Sequence, residues 1–139
     1  MEDETHATES LAGCALSIAG LVPAQAARAA DRLQGAWVTD ATTCDTVFSK
    51  RNGQVTLKRD AHGLSGFIVS GKRVPVTNAS CSLVSSKQKG QVLTFLMNCA
   101  DKLIFQTVSV SVRFENDDRI LRFDPEFPEV ETAYKRCSR

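Results

Sequence analysis

Between residues 104 and 114 the apolar side chains Val108, Val110, Val112 and Phe114 fall on alternate positions, with Ser109, Ser111 and Arg113 between them. A period of two marks a strand with one face in a core and the other in water. Further strands are predicted over 47–50, 54–58, 64–70, 73–77, 79–85, 91–99 and 119–123, bounded by turn signals such as Asn52-Gly53, Gly71-Lys72 and Glu115-Asn116-Asp117-Asp118. A first strand near Leu33–Val38 brings the total to about eight or nine, joined by short turns, which is the pattern of a small antiparallel β-barrel or sandwich. The alternation stops at Asp124-Pro125-Glu126-Phe127-Pro128. From Pro128 the reading is a short C-terminal helix, with Glu129 and Glu131 near its start and Lys135 and Arg136 near its end, an order that suits the helix dipole. Val130, Ala133, Tyr134 and Cys137 then share one face at i, i+3, i+4 and i+7.

The N-terminal third has a different pattern. Leu11 to Val22 is apolar and rich in small residues, and Ala24-Gln25-Ala26 has the small-x-small form of a signal-peptidase site. The run is shorter than the roughly 20 apolar residues a bilayer span needs. Residues 1–30 are therefore read as a removed export signal, although their first ten positions are acidic, and residues 31–139 as a single antiparallel β domain of 109 residues. Cys14 precedes most of the apolar run, which argues against lipidation.

Composition refines this. The 139 residues are 42% hydrophobic and 24% charged, a globular balance, with a formal charge of +1. Loss of Arg28 together with Glu2, Asp3, Glu4 and Glu9 raises that charge to +4, still short of the basic excess of a nucleic-acid binder. Four cysteines remain, an even number suited to a disulfide-permitting compartment, periplasmic or secreted. Folding 79–85 against 91–99 about Gly90 sets Cys81 opposite Cys99, Leu83 opposite Met97 and Ser85 opposite Phe95. Cys81–Cys99 is thus a cross-strand bridge, and Cys44–Cys137 is the remaining pair. Spacings of 37, 18 and 38 residues do not suit zinc, and neither metal nor cofactor is expected.

No catalytic constellation is evident. His62 sits alone in the turn Asp60-Ala61-His62-Gly63, there is no GxSxG, and Asp124 with Glu126 lies among prolines and cations. Surface charge is more informative. In an up-and-down meander alternate turns share an end, so Lys50/Arg51, Lys72/Arg73 and Lys87/Lys89 would rim one end of the barrel, partly offset by residues 115–118. Such a rim suits an anionic partner, either an envelope protein or an anionic envelope polymer.

Leu33-x-Gly35-x-Trp37 resembles the first strand of the calycins, that is, the lipocalins and their smaller relatives. The resemblance implies a Trp closing one barrel end under an Arg from the last strand, with Arg119 or Arg122 as the matching position. The layout is also similar to the bacterial metalloproteinase-inhibitor family. From Trp37 through Cys44, Ala79-Ser80-Cys81 and Phe127-Pro128-Glu129 to Tyr134-Lys135-Arg136-Cys137, the chain further resembles a family of small exported alphaproteobacterial envelope proteins, a likeness that carries no activity with it. The expected function is a monomeric, non-catalytic exported binding protein, most concretely an inhibitor of an envelope-directed hydrolase. The alternative is a carrier of a small apolar ligand with Trp37 at the closed end, and the third reading is a structural envelope protein. A barrel this small holds one small ligand at most.

Overall fold

The computed structural model describes residues 28, 30–61 and 65–139. Of residues 1–30, predicted to be an export signal, only Arg28 and Ala30 are among the described residues, and His62 lies outside them. In chain order the elements are β1 (Gly35–Thr39), a short helix α1 (Cys44–Val47), β2 (Phe48–Arg51), β3 (Gln54–Leu57), β4 (Gly66–Val69), β5 (Arg73–Val76), β6 (Ala79–Lys89), β7 (Val92–Ala100), β8 (Phe105–Asn116), β9 (Arg119–Asp124) and β10 (Phe127–Ser138). Eight of the strands close an antiparallel barrel in the order β1-β10-β9-β8-β7-β6-β5-β4, while β2 and β3 form a separate two-stranded sheet.

Alternation sorts the side chains into two layers. Trp37, Leu93, Phe95, Val112, Ile120 and Tyr134 face inward and form the inner cluster with Leu33. The intervening positions Ala36, Val38 and Ile68 face outward, where α1 and the β2–β3 hairpin cover them with Val47, Phe48, Val55 and Leu57. Gly66 makes that outer layer possible, because a Cβ there would lie 2.7 Å from Val47 Cγ1 and 2.9 Å from the Trp37 carbonyl oxygen. At Asn52-Gly53 both residues have positive φ (51° and 76°), as the predicted tight hairpin turn requires.

Gly35 closes the barrel. Its φ of +116° is open only to glycine, and a Cβ would sit 2.0 Å from the Ser138 carbonyl oxygen. The glycine two residues before the tryptophan therefore lets β10 approach β1.

Both disulfides are present, Cys44–Cys137 and Cys81–Cys99. The predicted register Cys81↔Cys99 and Leu83↔Met97 is found. Beyond it a bulge at Val84 shifts the ladder, so Phe95 faces Ser86 rather than Ser85, and β6 runs on to Lys89 before turning. Sequence alternation does not reveal the extra residue of a bulge.

The C-terminal helix is not formed. Residues 127–138 are β10, paired with β9 on one side and β1 on the other. A dipole-matched charge order is worth only about 0.3–1 kcal/mol, whereas a strand here removes two open sheet edges at once. Among the described residues helical turns lie instead at 30–32 and at Cys44–Val47.

Candidate ligand-binding cavity

The two barrel ends are built differently. At the end where β1 begins and β10 finishes, the chain from Ala30 to Gln34 folds across the opening. Leu33 is buried there, and the Trp37 indole N–H donates to its carbonyl at 2.8 Å. The Arg136 guanidinium lies 4.2 Å over the Trp37 ring and donates to the carbonyls of Arg32, Gln34 and Asp117. It also pairs with Asp118 at 3.3 Å, although its own side chain is only 7% exposed. Burial pulls the Arg136 pKa down, with Arg139 adding to the effect and Asp118 and Asp117 opposing it. The Gln34 side chain bonds Gly71 in both directions, through its carbonyl oxygen at 2.8 Å and its amide at 3.3 Å. Buried Leu33 and Trp37 and the bonds of Gln34 and Arg136 together plug this end.

The cation over the Trp37 ring is thus Arg136, not the expected Arg119 or Arg122. Arg119 instead points outward to pair with Asp40 and Glu115, which raise its pKa. Arg122 faces the interior.

Above the plug the barrel encloses a cavity of about 380 Å³. At roughly 30 Å³ for each water-sized group, that is room for a ligand of about a dozen heavy atoms. Its wall is mostly apolar, from Phe67, Val74, Leu83, Met97, Val108 and Val110, and the Cys81–Cys99 bridge forms part of it. Of the described residues lining it, only Arg122 and Asp124 are charged. Tyr134 is 2% exposed, and burial raises its phenol pKa while the charge and hydrogen bond of Arg122 pull it down.

The opposite end bears no comparable plug among the described residues. Its loops present Leu103 (92% exposed), Ile104, Phe105, Phe127 and Val130 to solvent. The Leu103–Ile104 segment is nonetheless held in shape, since the Asp101 carboxylate accepts both of their N–H groups at 2.7 and 2.8 Å. These bonds lower the Asp101 pKa.

The predicted basic rim is assembled only in part. The turns beside Lys72 and Arg73 and beside Lys87 and Lys89 do open at one end, the plugged one, and all four side chains are exposed. Lys50 and Arg51 belong to the separate β2–β3 sheet. Because β1 pairs directly with β4, that hairpin is not a turn of the meander, and counting turns from it fails. The Asp117-Asp118 turn at the plugged end is occupied with Arg32 and Arg136.

The sequence reading offers Arg122 as the cation over Trp37 rather than as a cavity-wall residue, and gives Arg136 no role at either place. For Arg122 a signal existed, since it shares the strand parity of buried Ile120. Arg136 was concealed by the helical reading of 128–137. Comparison with protein-family models, curated proteins and solved structures returned no match. The molecule stands as a closed eight-stranded antiparallel barrel, disulfide-bonded inside and out, with one end plugged and an apolar interior cavity.

Proposed function

We propose that this protein is a non-enzymatic, extracytoplasmic carrier that holds one small apolar ligand inside its barrel, in the manner of the calycins. The observation that carries the reading is the 380 Å³ apolar cavity, a size and character usual for small-molecule sites. The Gly35-x-Trp37 strand with Arg136 stacked on the indole supports the calycin comparison. Two disulfides support an oxidising compartment, and no described helix is long and apolar enough to cross a membrane. Ala30 lines the cavity and packs on the inner cluster, so signal cleavage after Ala26 leaves the plug whole where cleavage after Ala30 trims it. Inhibition of a hydrolase through a basic rim is the weaker reading, because Lys50 and Arg51 do not sit on a barrel turn.

The test is titration with the neutral fluorescent dye 1-naphthylamine, which is small enough for the cavity. Saturable one-to-one binding is expected, lost in Val110→Trp, whose indole fills the cavity, with the unfolding midpoint retained. A wild-type protein that does not bind the dye would sink the carrier reading.

A further inference from the structure

The wall of the cavity carries one cation where apolar side chains would suffice. Arg122 is half-buried on β9, its register partner across the ladder is inward-facing Val112, and it lines the cavity together with Tyr134. No described carboxylate lies within 4.0 Å of its guanidinium, in contrast to Arg32, Arg113, Arg119 and Arg136, each of which has an acidic partner at that range. The nearest acid along the strand, Asp124, is exposed at the rim, and its carboxylate is taken up by the Glu126 N–H at 2.8 Å. A guanidinium drawn from water into an apolar wall is costly unless an anion meets it. Its planar fork of donors suits a carboxylate or a phosphate, bound through two parallel hydrogen bonds.

Resting on the carrier reading, we propose that the ligand is an anionic amphiphile, with a single acidic head held by Arg122 beside the Tyr134 hydroxyl and an apolar tail along Leu83, Met97, Val108 and Val110. The cavity's size limits that tail to a medium-length chain. Arg122 thereby sets the class of ligand, and the apolar wall sets its length.

The experiment compares dodecanoate with 1-dodecanol, which share a chain and differ in charge, as competitors of the neutral naphthylamine dye on the full chain. The expected result is at least about tenfold tighter binding of dodecanoate, as for a charge-assisted hydrogen bond. In Arg122→Met the preference of dodecanoate over 1-dodecanol should vanish, with the dye's own affinity for the variant as the reference, and Arg122→Lys should restore part of it. Equal affinities of the two competitors in the wild-type protein would overturn the anionic-head assignment and leave the carrier reading standing. Equal losses for both ligands in Arg122→Met would also overturn it, because that outcome marks a packing role. Failure of the dye itself to bind would remove both readings. The wild-type comparison alone decides the matter if the variants do not fold.

Discussion

The two ends of the barrel use polar groups in opposite ways. At the plugged end one arginine gathers three backbone carbonyls, an aspartate and an indole face. At the open end the backbone of 101–104 is held by Asp101, yet the side chains it presents are apolar and exposed. The disulfides divide in the same way. Cys44–Cys137 clamps the outer layer to β10 near the plug, whereas Cys81–Cys99 lies inside the cavity wall toward the mouth. Hydrogen-bonded polar groups thus gather at one end and exposed apolar side chains at the other.

Removing each bridge measures that division. In the loop-entropy account, Cys44→Ala with Cys137→Ala, across a separation of 93, is expected to cost about 4–5 kcal/mol, and loss of Cys81–Cys99, across 18, about 3 kcal/mol. Denaturant unfolding gives both values, and a larger cost for the inner bridge would contradict the ranking. Arg136→Met takes the donor from three carbonyls, so a loss of about 3 kcal/mol is expected from the same measurement. A loss under about 1 kcal/mol would mean the plug is held chiefly by Leu33 and Trp37.

The pH dependence tests the buried wall. The phenol of Tyr134 has a folded pKa raised above its unfolded value of 10.0. Between the two values the unfolded chain has released a proton that the folded chain keeps, so stability is full below pH 10 and declines as pH rises through the folded pKa. Tyr134 is the only tyrosine in the sequence, so phenolate absorbance reports it directly, and a midpoint at or below 10 would show that Arg122 outweighs burial. Tyr134→Phe should remove the alkaline slope. The smallest effect belongs to the mouth, where Leu103→Ser is expected to change stability by no more than about 0.5 kcal/mol. A larger loss would place Leu103 in the core rather than at an exposed rim.

Much of this was legible along the chain. Alternation over β8 and turn residues such as Asn52-Gly53 defined the strands, because a period of two and positive φ are local properties. The cross-strand pair Cys81–Cys99 followed from a hairpin only 18 residues apart. The rest depended on partners distant in sequence. Residues 127–138 have helix-like spacing, and they become a strand because β1 and β9 both offer them an edge. The bulge at Val84 and the displacement of the β2–β3 hairpin from the meander leave no periodic trace. The sequence by itself determined which residues could be strand, turn and bridge. Only the tertiary structure decided that 127–138 is a strand, and with it that Arg136 reached the plug, since closure of a barrel is settled by pairings separated by about a hundred residues.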